Sequence, residues 1–273
     1  MGGEVPAPIP IADPDDPRIA AYSHIRERDL VGRGERFIAE GEVVLAVLLR
    51  QRRFTVESLL VSDKRLAALD GAALAPDIPV YVASQPVMDR IAGFHIHRGV
   101  LAVGRRVSSP RVRELLAGLH GQALVAVAIG IANHDNMGGL FRNAAAFGAD
   151  ALILDATSCD PLYRKAIRVS VGATFIVPYA RADAGEDILS LLADTGFAAL
   201  ALSPSGQRAL HDITPAERTA VIFGTEGPGL PADIMARMET VRIAMQGTLD
   251  SLNVATASGI VLHHLATARR AMD

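Results

Sequence analysis

The sequence is poor in cysteine, and Cys159 is its only one. A single thiol cannot form a disulfide within the chain, and the Cys/His spacings typical of metal sites are also missing. These absences favour a reducing, cytoplasmic environment and a fold without a structural metal. We expect Cys159 itself to be a buried, unreactive thiol.

A segment that could enter a membrane is missing as well. Residues 1–17 have no basic region followed by an apolar core, which argues against a signal peptide and for a flexible tail rich in proline and aspartate. The longest weakly polar run, residues 252–268, is interrupted by Asn253 and two histidines, so it predicts a buried helix. We therefore expect no membrane partner.

Two common nucleotide-binding motifs are also absent. No G-x-x-x-x-G-K-[ST] occurs, so the lysine that a P-loop NTPase needs for phosphate binding is lacking. The glycines of GTEGPG (224–229) are spaced G-x-x-G-x-G instead of G-x-G-x-x-G, and they come late in the chain. A nicotinamide oxidoreductase is therefore a poor fit, although its fold class is not excluded.

Charge is present but unevenly distributed. The formal net charge is −3, yet residues 18–113 contain 16 Lys/Arg and 10 Asp/Glu, and residues 114–273 contain 11 and 16. The first segment is thus basic (+6) and the second acidic (−5). This asymmetry favours a nucleic-acid contact in the first segment, with an ordinary solvated surface as the alternative.

Alternating apolar and helical patterns predict an α/β protein with two domains. A small α/β domain is expected at residues 18–107 after the tail, and residues 108–121 read as a linker. In residues 122–273, uninterrupted apolar runs are typical of strands buried on both faces of a parallel sheet. The predicted strands are 123–132, 151–156, 174–180, 197–203, 219–224 and 240–244.

The stretch HDNMGGLFRNAAAFGAD (134–150) follows the first of these strands. Asn136 is a reasonable helix N-cap, and Gly138 with Gly139 would allow a tight turn. Arg142 would then lie in the first helical turn, where the positive end of the helix dipole disfavours a cation. The stretch therefore suggests a site for phosphate or another charged oxygen, with a plain structural turn as the alternative.

Two later stretches also follow predicted strands. VIFGTEGPGLP (221–231) predicts an ordered loop with close backbone approach and carries one charged group, Glu226. In IAMQGTLDSLNVATASG (243–259), Asp250 or Ser251 could cap the last helix and Asn253 would fall in its first turn. The structural alternative for the first stretch is a surface turn, and for the second it is helix capping with core packing.

Together the three stretches resemble the three motifs of the SpoU (TrmH-like) branch of the SPOUT RNA 2′-O-ribose methyltransferases. The order and spacing of the motifs match those of the family, with Ala244 where many members have proline. ERFIAEGEVVLAVLL and HRGVLAV also look like the start and end of the small ribosomal-protein-like domain that many members carry. The matching residues are Asn136, Gly138, Arg142 and Ala144; Gly224, Glu226, Gly227, Gly229 and Leu230; and Ile243, Met245, Gly247, Ser251, Leu252, Asn253 and Val254.

The resemblance implies a fold that general rules would reject, because chains almost never knot. In this family the C-terminal segment forms a deep trefoil knot, and the knot binds S-adenosylmethionine. Backbone groups near Gly224, Ile243, Met245 and Leu252 are expected to hold the adenosine part, with Leu202 lining the same pocket. Members generally act as homodimers, with the C-terminal helix and the helix of the first motif near the interface.

The resemblance further implies transfer of a methyl group to a ribose 2′-OH of tRNA or rRNA. Arg142 is expected to bind the RNA phosphate and stabilise the developing alkoxide, and Asn136, Glu226, Ser251 and Asn253 to position it and the ribose. A non-catalytic RNA-binding or ribosome-assembly protein is the alternative function. Seven arginines are the candidate RNA contacts: Arg33, Arg36, Arg98, Arg105, Arg106, Arg164 and Arg168.

Overall fold

The computed structural model describes residues 6–23, 35–69, 74–93, 95–225, 227, 229–246 and 250–270. The chain divides into two compact units. The first contains Met1–Ser108 together with Asp160–Ile176, and the second contains Ser109–Cys159 and Val177–Asp273. The segment 160–176, which was expected in the second domain, therefore groups with the first unit.

The described part of the first unit contains a mixed five-stranded sheet with the order β1-β4-β3-β5-β2. The pairs β1/β4 and β4/β3 are parallel, whereas β3/β5 and β5/β2 are antiparallel. Its elements are β1 (Ile9–Ile11), β2 (Arg36–Glu40), α1 (Glu42–Leu48), β3 (Phe54–Ser62), β4 (Val80–Ala83), α2 (Gln85–Ala92) and β5 (Val100–Arg106).

The described part of residues 1–17, a segment predicted to be a flexible tail, contains regular structure. Strand β1 pairs in parallel with β4, and Ile11 is buried in the core of this unit. A 3-10 helix, Pro17–Tyr22, follows with Asp16 as its N-cap, and Ile19 and Tyr22 are fully buried. Proline and aspartate here form the helix start, because proline is preorganised for the first turn and aspartate caps it.

The second unit begins with the predicted linker, which is structured. Helix α3 (Val112–Ala117) packs Val112 and Leu116 into the core of this unit. The elements up to the boundary at Cys159 are β6 (Ala123–Ala128), α4 (His134–Phe147) and β7 (Ala151–Leu154). The segment 160–176 of the first unit then contributes α5 (Arg164–Val169) and α6 (Ala173–Ile176).

The rest of the second unit completes a parallel seven-stranded sheet within the described residues, in the order β10-β12-β9-β11-β6-β7-β8. Every residue of β6 and β7 is buried, and in β11 every residue but the first is buried. This burial is typical of apolar strands in the middle of a parallel sheet. The remaining elements are β8 (Tyr179–Arg181), α7 (Ile188–Asp194), β9 (Ala198–Leu202), β10 (Arg208–Ala209), β11 (Arg218–Phe223), α8 (Ala232–Met235), β12 (Glu239–Arg242) and α9 (Val254–Arg270).

The α/β prediction with a parallel sheet is confirmed, with local errors. The strand predicted at 123–132 ends at Ala128, and the short strand β10 was not predicted. In the segment predicted as strand 174–180, residues 174–176 belong to helix α6, which ends at Ile176. The strand itself begins only at Tyr179. No helix among the described residues is both long enough and apolar enough to span a bilayer.

Candidate active site

A cavity of about 600 Å³ lies in the second unit, where the loops after β9, β11 and β12 meet. In open parallel sheets, ligands bind beyond the carboxyl ends of the strands, and this cavity has that position. Seven residues predicted from the sequence to bind cofactor or to act in catalysis line it: Leu202, Gly224, Ile243, Met245, Ser251, Leu252 and Asn253.

The loop after β11 makes its turn by close backbone contact. A Cβ atom on Gly224 would lie 2.7 Å from the carbonyl carbon of Gly229 and 2.7 Å from the backbone nitrogen of Leu230. Thr225 and Gly229 form an antiparallel bridge, and Gly227 and Gly229 have positive φ. Only glycine fits at Gly224. Because Gly224, Gly227 and Gly229 line the cavity and have no side chains, the loop presents its backbone to the cavity.

The loop after β9 supplies cavity residues that the sequence analysis missed, namely Ser203, Pro204 and Ser205. Arg242 holds this loop against β12 by donating to the carbonyl oxygens of Gly206 and Gln207, each at 2.7 Å. The missed signal is the S-P-S-G turn directly after a buried strand, since such turns at carboxyl ends often bind ligands. Thr225 and Met235 were also missed.

Helix α4 begins earlier than the sequence pattern suggested. Asn133, not Asn136, is its N-cap, and its side-chain oxygen accepts from the backbone nitrogens of Asp135 (2.8 Å) and Asn136 (3.2 Å). Arg142 therefore lies in the third turn, and the argument that the helix dipole opposes it is wrong. Gly138 and Gly139 are helical residues, not a turn.

Asn136 and Asn253 join the first and third motifs directly. The side-chain oxygen of Asn253 accepts from the backbone nitrogens of Ala255 (2.9 Å) and Thr256 (3.2 Å), so Asn253 is the N-cap of α9, in place of Asp250 or Ser251. Its side-chain nitrogen donates to Oδ1 of Asn136 at 2.8 Å. This orientation leaves Nδ2 of the buried Asn136 as a donor without a partner among the described residues.

Helices α4 and α9 pack closely because small residues face each other. A Cβ atom on Gly139 would lie 2.5 Å from the Cβ atom of Ala255. Asn143 donates to the carbonyl oxygen of Ala255 (2.6 Å) and to the hydroxyl of Ser258 (2.9 Å). Several of the small residues at 255–259 therefore serve this contact within the chain.

We expect Gly139→Ala to lower the free energy of unfolding by about 1–3 kcal/mol through overpacking against Ala255. Helix propensity alone would have the opposite sign, a gain of up to about 1 kcal/mol. The double variant Gly139→Ala/Ala255→Gly should recover part of the loss in urea unfolding. A stabilised single variant would contradict the close contact.

Arg142 is exposed on α4, and among the described residues it makes no ion pair or hydrogen bond. Its guanidinium is therefore available to an anionic ligand. Two of the predicted residues, Glu226 and Arg33, lie outside the described residues, as does Gly247 of the third motif. The described residues contain no group of three or more His, Cys, Asp or Glu side chains placed to hold a metal ion.

Two of the arginines predicted to contact RNA have structural partners instead. Arg164 pairs with Glu40 at 2.7 Å, and their side chains are only 17% and 6% exposed. Arg106, 12% exposed, pairs with Glu35 and Asp160 at 3.1 Å each. These contacts argue against an RNA contact at Arg106 and Arg164, because both guanidinium groups are mostly buried and already paired with carboxylates.

The other predicted arginines are more accessible. Arg98 and Arg168 are exposed and make no ion pair among the described residues. Arg36 and Arg105 are partly exposed and share one carboxylate, that of Glu57, at 2.7 and 2.6 Å. These four keep their predicted role as a proposal.

We expect Arg164→Ala to lower the free energy of unfolding by about 3 kcal/mol, because it leaves the buried carboxylate of Glu40 without its partner. Arg168→Ala on the same helix is the matched control and should change it by less than about 0.5 kcal/mol, since Arg168 is exposed. Urea unfolding of both variants tests this. If the two variants are equally stable, the ion pair with Glu40 does not stabilise the fold, and Arg164 is again a candidate RNA contact.

Comparison with known proteins decides the family. The sequence profile of the SpoU rRNA Methylase family matches residues 123–263, more than half of the chain, and this range includes all three motif stretches. The chain belongs to the SpoU family. It is therefore an RNA methyltransferase, and the function class predicted from the motifs is confirmed.

Relatives of this SpoU protein include mycobacterial proteins. One from Mycobacterium tuberculosis, described as an uncharacterized tRNA/rRNA methyltransferase, is 41% identical over 262 residues, which cover 93% of this chain and 90% of the relative. A protein of the same description from Mycobacterium leprae is 31% identical over 213 residues, covering 76% and 68%. The similarity thus extends well beyond the three motifs.

Solved structures share the fold of this SpoU chain. An AdoMet-bound rRNA methyltransferase from Sinorhizobium meliloti has a TM-score of 0.78 at 24% identity, covering 97% of this chain and 99% of that one. The SpoU methyltransferase AviRb from Streptomyces viridochromogenes has a TM-score of 0.79 at 19% identity, covering 93% and 98%. They confirm the predicted SPOUT-type α/β fold, while the trefoil knot stays a prediction.

Proposed function

We propose that this SpoU protein transfers the methyl group of S-adenosylmethionine to a ribose 2′-OH of rRNA or tRNA. One observation carries the proposal: Asn253 lines the cavity, and its side chain donates a hydrogen bond to Asn136 on the helix that carries Arg142. The hydrogen bond between α4 and α9 therefore links the cavity to the helix that carries the exposed guanidinium of Arg142. Two structures of the same fold are described as AdoMet bound and as an RNA 2′-O ribose methyltransferase.

The cavity suits S-adenosylmethionine in size and chemistry. Its volume, about 600 Å³, falls within the usual range for small-molecule sites. Leu202, Ile243 and Leu252 offer apolar surface for an adenine ring, and the glycine loop at Gly224 offers backbone groups at close range. When bound, the cofactor supplies an electrophilic methyl group on a sulfonium.

The residues of α4 and α9 would position the ribose. Nδ2 of Asn136 is held ready as a donor because Asn253 occupies its oxygen. A fixed donor orients an acceptor without losing side-chain freedom at the moment of reaction. Ser251, which lines the cavity next to Asn253, would contribute a hydroxyl.

Arg142 would supply positive charge where the 2′-oxygen becomes negative. A guanidinium stays protonated in proteins, so Arg142 cannot accept the proton of the hydroxyl. Its planar fork can bind a phosphate oxygen and stabilise an alkoxide at the same time. We assign it both of these roles, with Glu226 as the residue that orients it.

The first unit would bind RNA through its accessible arginines, Arg36, Arg98, Arg105 and Arg168, by contacts to phosphate that do not depend on sequence. We propose that the substrate is cytoplasmic RNA. We also propose a homodimer formed by α4 and α9, because Ile260 on α9 is a large apolar side chain that is 41% exposed.

Incubation of the purified chain with tritiated S-adenosylmethionine and total RNA from a strain lacking its gene tests the proposal. Digestion of the RNA to nucleosides should place the label on a 2′-O-methylnucleoside. Label on a base would contradict ribose methylation. RNA binding with neither label nor cofactor binding would favour the non-catalytic RNA-binding function.

A further inference from the structure

Asp155 lies directly after β7, at the same edge of the sheet as the turn that leads into α4. Its Oδ1 accepts from the backbone nitrogens of Gly130 (3.1 Å) and Ser158 (2.9 Å) and from the Ser158 hydroxyl (2.5 Å). Its Oδ2 accepts from the hydroxyl of Thr157. One carboxylate thus joins the turn after β6 to the loop after β7.

The joined segments are the turn 129–133 and the loop 155–159. The buried Ser158 hydroxyl accepts from the backbone nitrogen of Ile131 at 3.0 Å, and the backbone nitrogen of Cys159 donates to the carbonyl oxygen of Ile131 at 2.8 Å. Gly130 has a φ of 68°, a conformation that glycine adopts without the strain of a Cβ atom and that allows the tight turn. The turn ends at Asn133, the N-cap of α4.

The loop 155–159 is also held by hydrogen bonds from Arg181 on β8. Arg181 donates to the carbonyl oxygens of Asp155 (2.9 Å), Ser158 (2.7 Å) and Cys159 (3.0 Å). Burial disfavours the charged form of Asp155, but the hydrogen bonds from Ser158, Thr157 and Gly130 outweigh this effect and lower the pKa of its carboxyl. The carboxylate is therefore a fixed, charged support.

We propose that Asp155 is a positioning residue for methyl transfer. It fixes the turn that sets the start of α4, and so places Asn136 and Arg142 relative to the cofactor cavity. It touches neither the cavity nor these two side chains, and its effect runs through backbone position. This inference rests on the proposed function, because it assigns Asp155 to the same reaction.

The chain offers a matched control at the other end of the same strand. Asp150 directly precedes β7, and its Oδ2 accepts from the backbone nitrogen of Leu124 at 2.7 Å and from Arg269 at 2.9 Å. Both aspartates therefore accept from a backbone N–H, Asp150 from Leu124 within β6 and Asp155 from Gly130 in the turn after β6. Only Asp155 does so at the edge where α4 begins.

The experiment compares Asp155→Ala, Asp155→Asn and Asp150→Ala with the unmodified protein, using tritiated S-adenosylmethionine and total RNA from a strain lacking the gene. Asp155→Ala should lower the apparent kcat by about 10- to 100-fold, the effect of a small displacement of reacting groups. The Kd for S-adenosylmethionine should stay unchanged, since the carboxylate bonds no cavity-lining residue. Asp155→Asn should recover activity, because its amide oxygen can still accept from Gly130 and Ser158.

Asp150→Ala should lower the melting temperature but keep the kcat of the unmodified protein. Equal losses of kcat in the two alanine variants, or a loss of cofactor affinity that matches the loss of kcat, would overturn the inference. If Asp155→Ala does not fold, Ser158→Ala removes only the hydroxyl that links Asp155 to Ile131. It should lower kcat at unchanged cofactor affinity, and an unchanged kcat would overturn the inference. An inactive unmodified protein would instead contradict the proposed function.

Discussion

Arg142→Ala is expected to lower the kcat of methyl transfer by about 100- to 1,000-fold, the usual cost of removing a charge-stabilising donor. The Kd for S-adenosylmethionine should not change, because Arg142 does not line the cavity. Steady-state transfer to RNA and calorimetry with the cofactor measure the two quantities separately. Arg142→Lys should recover only part of the rate, since an ammonium keeps the charge but lacks the planar fork.

Arg113→Ala is the matched control for Arg142. Arg113 is also an exposed arginine on a helix of the second unit, where it pairs with Asp194 at 2.8 Å. Its removal should leave both kcat and the Kd for the cofactor near those of the unmodified protein. Full activity of Arg142→Ala, or a loss as large in Arg113→Ala, would contradict the role assigned to Arg142.

Gly224→Ala is expected to weaken S-adenosylmethionine binding by about 10- to 100-fold, the equivalent of 1–3 kcal/mol of overpacking. The added Cβ atom would meet the backbone of Gly229 and Leu230 at 2.7 Å, and backbone cannot move aside as a flexible side chain can. The loop that lines the cavity must therefore shift. Isothermal calorimetry with the cofactor measures the change.

Gly118→Ala provides the same substitution without crowding at the cavity. Gly118 has right-handed helical dihedral angles at the end of α3 and does not line the cavity. The affinity of the Gly118→Ala variant for the cofactor should equal that of the unmodified protein. Tight binding by Gly224→Ala would show that the loop does not form the cofactor site in the way proposed.

The sequence was most informative where short polar stretches follow long apolar runs. The apolar runs predicted at 123–132 and 219–224 contain β6 and β11 of the parallel sheet, and the stretches after β11 and β12 converge on one cavity. This convergence could be predicted because parallel strands bring their carboxyl ends to one edge. The cavity residues of the S-P-S-G turn were missed because no charged or aromatic side chain marks them.

Helix starts and distant partners could not be predicted in the same way. Asn133 and Asn136 are both good caps, and only the backbone path decides between them. The dipole argument for Arg142 failed for this reason, although the exposure of its side chain agrees with the proposed role. The partner of Arg164 is Glu40, 124 residues away, and no local pattern reveals such a pair.

The most direct test of the central claim is a map of ribose methylation in rRNA and tRNA from cells. Strains that lack the gene, or that carry it as the unmodified or the Arg142→Ala form, should be compared. We predict that at least one ribose loses its 2′-O-methyl group in the deletion strain, and that the unmodified gene restores it but Arg142→Ala does not. Identical maps with and without the gene would contradict the account.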